Sequence, residues 1–230
     1  MHSPQAEPIS DHADQADAAL REGFGPRVRK LHARIGRSHH QAEGMPFAKA
    51  LLDGQVSPLQ LAALVRALGA PYAFLEQQLP EAAAALGASA APWPHLARTA
   101  VLAHDCAQLA TLPATPPSAA AAIWLEQLRV LAQQAPHRLM AHVYVRYGGD
   151  LSGGQQLAAH ANAILERHQL PALDFWCFDR STAELKQSLH DAFEQLDLST
   201  AEEEELLSEA ELAFAATQRL LAELADLPQP

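Results

Sequence analysis

An all-α fold is the class this sequence predicts, and three observations carry it. Hydrophobic residues make up 49% of the 230 residues. Alanine and leucine dominate them while β-branched residues are scarce, a composition suited to helices. Helix-opening signals, a Ser, Thr or Pro ahead of an apolar run, recur along the whole length and are closed by Gly or Pro. No repeat at a fixed period is present. At 24.8 kDa the chain is long enough for one well-buried core. Residues 16–230 therefore read as a single compact helical domain of about seven or eight helices, preceded by a flexible polar arm over residues 1–15.

Each element follows from its ends. Pro26 suits the first turn of a helix reaching Glu43, where Gly44 stops it, and His32, Ile35 and His39 fall on one stripe of it. Ser57-Pro58 pairs an N-cap with a first-turn proline and opens a helix to Leu79, kinked by Pro71 and ended by Pro80. Trp93-Pro94 opens a helix to Ala110, and residues 111–117 are loop. Ser118 caps the next helix, and Pro136 starts a long one running to His168. Residues 171–180 carry Phe175, Trp176 and Phe178 and read as a connector that plugs one end of the core. Ser181 caps a helix with Lys186 and His190 one turn apart. Thr200 caps the last, whose early Glu residues complement the positive helix end.

Charge and cysteines narrow the function classes. A formal net charge of -11 argues against a nucleic-acid surface. Cys106 and Cys177 are the only cysteines, with no C-x-x-C, so neither a disulfide framework nor a zinc knuckle is expected, and a reducing cytoplasm suits them. The lack of C-x-x-C-H means that any haem is held without covalent attachment. The N-terminal segment reads as no signal peptide, the C-terminus as no anchor, and no membrane span is expected.

Residues 144–155 place Gly148, Gly149, Gly153 and Gly154 inside the long helix. Four interior glycines cost about 3 to 4 kcal/mol relative to alanine, so something must offset them. Gly149 and Gly153 share one face, a bare strip on which a flat object can touch the backbone. Arg146 and Asp150 are also four apart and flank that strip with a guanidinium and a carboxylate. No phosphate-binding glycine motif is present. Of the 12 histidines, most read as surface residues. The adjacent pair His39-His40 points about 100° apart on a helix, which works against clasping one ion. Neither H-E-x-x-H nor paired Glu-x-x-His occurs, which excludes zinc hydrolase and di-iron chemistry. Gly149-Asp-Leu-Ser152-Gly has one residue too many for a nucleophile elbow.

The stretch Ala141-His-Val-Tyr144-Val-Arg146-Tyr-Gly-Gly149-Asp150-Leu-Ser152-Gly153-Gly-Gln155 closely resembles the signature of the haem oxygenases. Ser38-His39-His40-Gln41-Ala42-Glu43 resembles that family's proximal-histidine segment, and Leu68-x-x-x-Tyr72-x-x-Leu75-Glu76 extends the likeness. Further patches follow at Arg98 to Asp105, Leu185 to Gln187, and Ala213-Phe214. The resemblance covers roughly residues 26–225 and is weakest over 80–135.

It implies a fold holding haem b, both cofactor and substrate, between a proximal and a distal helix. The implied reaction opens the ring to biliverdin, carbon monoxide and ferrous iron, using dioxygen and electrons from a reductase or ferredoxin-type donor. A bilin-accepting photoreceptor is a further implied partner. His39 would ligate the iron through a neutral imidazole nitrogen, a bond that weakens in acid, with Glu43 orienting the ring. Asp150 would relay protons through ordered water, with Arg146 and Tyr72 holding it. Gly149 and Gly153 would let the distal backbone lie on the porphyrin, and Tyr144, Ser152 and Phe214 belong to the same haem-contacting set. On the propionates, Lys186 matches a family cation, but His190 and His32 stand where the family has arginine and lysine. Neutral histidines attract carboxylates less strongly, which implies a looser clamp. Two other readings compete: a haem carrier or sensor, which needs no proton relay, and a related helical fold acting on a thiamine-type substrate, which leaves His39 unexplained.

Overall fold

The computed structural model describes residues 23–88 and 92–227, so the expected arm over residues 1–15 lies outside the described residues. Ten helices and no strand occur among the described residues. They are α1 (Pro26–Glu43), α2 (Pro46–Leu52), α3 (Pro58–Ala85), α4 (Trp93–Leu96) and α5 (Thr99–Gln108). The second half holds α6 (Ala119–Gln134), α7 (Pro136–Ser152), α8 (Gly154–Arg167), α9 (Thr182–Glu194) and α10 (Thr200–Ala225).

The sequence-based count falls short for identifiable reasons. The short α2, opened by Pro46, buries Phe47 and Leu51. α3 does not end at Pro80 but continues to Ala85, because a proline inside a helix forfeits one hydrogen bond while Ala82 and Ala83 beyond it are buried. Its start is a capping box: Ser57 accepts from Gln60 N, and Gln60 reaches back to Ser57 N. The helix expected from Trp93 to Ala110 breaks after Leu96. There the Arg98 side chain turns inward to donate to the carbonyls of Leu96, Ala97 and Phe175, and Glu76 takes the backbone N–H of Thr99. The long helix from Pro136 divides at Gly153 into α7 and α8, and the last helix is capped by Ser199, one residue before Thr200.

α10 is the spine. It packs on α7 and α1, and also on α2, α6 and α3, while α3 packs on α5, α6 and α7. α3 is long and apolar enough to cross a membrane by length and composition alone, but its apolar side chains face the core of the bundle. The ends of elements are pinned by side chains. Glu194, at the end of α9, accepts from Arg27 N and Val28 N at the start of α1, and the Arg27 guanidinium donates to the carbonyls of Phe193 and Leu196. Asp105 accepts from Asp174 N and Phe175 N, seating the aromatic connector with Phe175 and Trp176 buried. The Glu194 and Arg27 contacts fix the end of α9 on the start of α1, and both helices pack beside α7 or its partner α10.

Candidate active site

Residues 139–147 of α7 are mostly buried, and Asp150 is the charged residue this helix carries into the interior at 4% exposure. A lone buried carboxylate is costly, and here two neighbours meet it. The Tyr72 hydroxyl, brought by α3 and itself fully buried, donates to Asp150 Oδ2 at 2.5 Å. Arg146, one turn earlier on α7, donates from Nε to the Tyr72 hydroxyl at 3.1 Å and from Nη1 to Thr217 Oγ1 at 3.2 Å, and its Nη2 lies 3.9 Å from Asp150 Oδ1. Burial raises the Asp150 carboxyl above its ordinary value, and Arg146 and the Tyr72 hydrogen bond only partly offset that. Burial also pushes the Tyr72 phenol well up, so it remains a donor. Burial works against the Arg146 cation, but Tyr72 and Asp150 outweigh it and raise its value. The result is a fixed guanidinium, a neutral phenol and a carboxyl readier than usual to hold a proton.

α10 joins this group to α1. Thr217 holds Arg146 of α7, while one turn of the same helix reaches the other way. The Phe214 ring lies edge-on to His39 at 5.9 Å, and Gln218 Nε2 donates to Ser38 O at 3.1 Å. One turn of α10 therefore touches both α1, at Ser38 and His39, and α7, at Arg146. His39 is exposed, and its Nδ1 lies 3.5 Å from Glu43 Oε1. That carboxylate is shared: His40 Nδ1 lies 3.4 Å from Glu43 Oε2.

The glycines divide into two kinds. A Cβ built on Gly148 or Gly149 meets nothing within 4 Å, and one on Gly153 meets only the Gly149 carbonyl at 4.0 Å. A Cβ on Gly154 would lie 2.5 Å from Trp176 Cδ1, so that glycine serves the connector's packing and not the strip. Gly149, Ser152 and Gly153 are exposed at the end of α7, a bare surface as the sequence predicts.

Around Tyr144 of α7, helices α1, α7 and α9 meet through rings. Tyr144 stacks on His190 at 6.1 Å and faces His32 edge-on at 6.2 Å, and Phe24 stacks on His32 at 4.8 Å. Burial lowers His190 to about 4, with Lys186 one turn away and His32 adding to the shift, so this imidazole is neutral. The Tyr144 hydroxyl is buried without a hydrogen-bond partner among the described residues, and burial raises its value, helped by Glu194. A buried hydroxyl costs about 1 to 3 kcal/mol when unpaired, so this one is a donor awaiting an acceptor. A propionate is such an acceptor. The open glycine strip, the exposed imidazole and this hydroxyl fit a flat, carboxylate-bearing macrocycle.

The heme oxygenase family profile matches residues 28–223. The chain belongs to the heme oxygenase family. It is 28% identical over 200 residues to the heme oxygenase of the red alga Pyropia yezoensis, spanning 85% of this chain and 84% of that one. It is 29% identical over 208 residues to heme oxygenase 2 of the cyanobacterium Synechocystis, spanning 87% and 83%. Among solved structures, heme oxygenase-1 of Synechocystis in complex with heme superposes with a TM-score of 0.77 at 27% identity, covering 87% of this chain and 92% of that one. The chain is thus a haem oxygenase, an enzyme that cleaves haem to biliverdin, and haem is its non-covalently bound cofactor and substrate.

Several neighbours of the site carry no local signature. Trp124 on α6 lies under the Arg146 guanidinium at 5.7 Å and edge-on to Tyr72 at 6.3 Å. Its Nε1–H donates to His142 Nδ1 at 3.0 Å, which leaves His142 Nε2–H to donate to Glu209 Oε1 at 3.0 Å. Glu209 is held in turn by Arg138 and Gln127. His142 is therefore neutral in one tautomer, and burial lowers its value. Tyr147 donates to Glu76 at 3.2 Å on the other flank. Trp124 sits where the resemblance is weakest, so neither spacing nor motif marks it. Only the fold brings it under Arg146.

Proposed function

We propose that His39 would hold the iron of haem in this enzyme and that Asp150, held by Tyr72 and Arg146, would manage the protons of ring cleavage. The observation that carries this reading is the buried Tyr72–Asp150–Arg146 group beside the Gly149 and Gly153 backbone, over which no side chain lies within 4 Å of a built Cβ. When bound, haem supplies an iron centre that activates dioxygen and the meso carbon that is oxidised. The chain supplies position and protons. His39 would offer a ring nitrogen to the iron, with the Glu43 carboxylate 3.5 Å from its Nδ1 as the group that would orient it. Phe214 limits rotation of that ring. The Gly149 and Gly153 backbone, with Ser152 beside it, provides a face without side-chain bulk. Tyr144 would donate to a propionate, and Lys186, His190 and His32 would complete the polar end. Asp150 holds a proton more readily than an ordinary carboxylate and passes it toward the open strip, while Tyr72 and Arg146 restore its hydrogen bonds.

Dioxygen and an electron-donating reductase or ferredoxin-type protein complete the reaction, and a bilin-binding photoreceptor is a taker for the product. A cytoplasmic location suits Cys106 and Cys177, which stand as free thiols. For an acidic donor the basic start of α1 offers less than its sequence promises. Arg27 is taken up by carbonyls and Glu203, and Lys30 pairs with Glu203 at 2.6 Å, whereas Arg29 is exposed.

Adding haemin to the purified chain should produce a Soret band, and reductant with dioxygen should convert it to a red-absorbing bilin. Asp150→Ala should bind haemin as the parent does and lose most of the bilin yield. An undiminished yield in that variant would remove Asp150 from the proton path.

A further inference from the structure

The last turn of α1 carries a cluster of ligand atoms that shares His39 and Glu43 with the haem reading and adds His40, which that reading does not use. His39, His40 and Glu43 each bring one nitrogen or oxygen to within 4.8 Å of the other two. Adjacent histidines diverge on a helix, as the sequence implies, but the Glu43 carboxylate lies between them. His39 Nδ1 is 3.5 Å from one of its oxygens and His40 Nδ1 is 3.4 Å from the other. Ligands bound at 2.0–2.1 Å to a tetrahedral ion lie about 3.4 Å apart, and three ligand atoms already within 4.8 Å of one another on exposed side chains would reach that spacing by side-chain rotation alone. The cluster is open to solvent, which leaves room for water as a further ligand. It also occupies the C-terminal turn of an 18-residue helix, where the partial negative charge of the carbonyls favours a cation. The backbone there is held from outside by Gln218 on Ser38 O, and Phe214 lies edge-on to the His39 ring.

We propose that His39, His40 and Glu43 form a binding site for a divalent first-row transition-metal ion of the zinc or ferrous kind, and that its occupation excludes haem. The ligand set is imidazole and carboxylate without thiolate, which suits those ions. Exclusion follows from proton bookkeeping on one ring. A neutral imidazole has a single nitrogen lone pair, so a metal on His39 Nδ1 leaves the proton on Nε2, and no lone pair remains there for haem iron. His39 therefore serves one metal at a time. The site itself stands on the α1 geometry alone; its competition with haem rests on the proposed role of His39 in holding the haem iron.

The test uses the full haem-free chain without a histidine tag, with Co²⁺ followed by its visible d–d bands and Zn²⁺ as competitor. The parent should take up one Co²⁺ at this site. His40→Ala should weaken that uptake by at least about tenfold, no less than the loss of an outer partner costs, and leave the haemin titration unchanged. Saturating Zn²⁺ should raise the haemin concentration needed for half-maximal Soret absorbance in the parent and much less in His40→Ala. Equal Co²⁺ affinity in parent and His40→Ala overturns the site. Zn²⁺ that binds through His40 yet leaves haemin uptake unmoved overturns the exclusion. A chain that binds no haemin at all contradicts the axial-ligand reading, and the Co²⁺ comparison still decides the metal site.

Discussion

Asp150 shows how one residue can cost the fold and serve the site. Its folded value is raised by burial, so the folded state favours the protonated form. The associated stability is present below the unfolded carboxylate value and is lost as pH rises through the folded one, leaving the charged group a liability at neutral pH. Asp150→Asn keeps an acceptor for the Tyr72 hydroxyl and removes the charge. The variant should melt at the same temperature as the parent or higher at pH 7, with that advantage shrinking as pH falls, and should make little bilin. Calorimetry at pH 7 and pH 5 checks this, and a drop of several degrees in the variant would mean that attraction to Arg146 outweighs the burial cost. Arg146 and Asp150 were legible in sequence because a spacing of four is itself a contact on a helix. Tyr72 was reachable only through resemblance, since it arrives from another helix. Thr217 and Trp124 were reachable by neither route, because their proximity to Arg146 is a product of how α6, α7 and α10 pack.

At the scale of elements, the glycine stretch was legible as a cost, and the structure divides that cost between two purposes. Gly148 and Gly149 face open space, while Gly154 is pressed against Trp176 where α8 begins. The division also explains why one expected helix became two: the break falls at Gly153, between the strip and the close contact. Substitution should separate the roles. Gly149→Ala adds helix propensity worth up to about 1 kcal/mol without meeting any protein atom, so it should raise the urea midpoint and weaken haemin binding. Gly154→Ala forces a Cβ into the indole and should lower the midpoint, leaving the haemin-facing surface as it was. If Gly149→Ala bound haemin as tightly as the parent, the strip would not be where the macrocycle lies. The pins between helices were invisible in sequence for a related reason. Glu194 on the start of α1 and Gln60 on Leu224 O span more than 160 residues of chain, and no local pattern encodes them.

For the whole molecule, α1, α7 and α9 meet through imidazole and phenol rings with Lys186 one turn from His190, and this ties stability to pH. His190 has a folded value of about 4, well below that of a free imidazole, because burial and the Lys186 charge disfavour its cation. A depressed histidine contributes stability that is complete above its unfolded value, near pH 6.5, and is lost as pH falls toward the folded value. With solvent screening allowed for, the loss is on the order of 2 kcal/mol across that window. The urea midpoint of the haem-free chain should therefore fall between pH 7 and pH 4.5, and His190→Leu should flatten that fall while preserving the ring packing against Tyr144 and Phe24. Haemin should flatten it too in the parent, because a propionate beside the Tyr144 hydroxyl and His190 offers a counter-charge to the imidazolium. A parent whose midpoint is as flat in this window as that of His190→Leu would place the acid sensitivity of the fold elsewhere, with buried His142 the next group to examine.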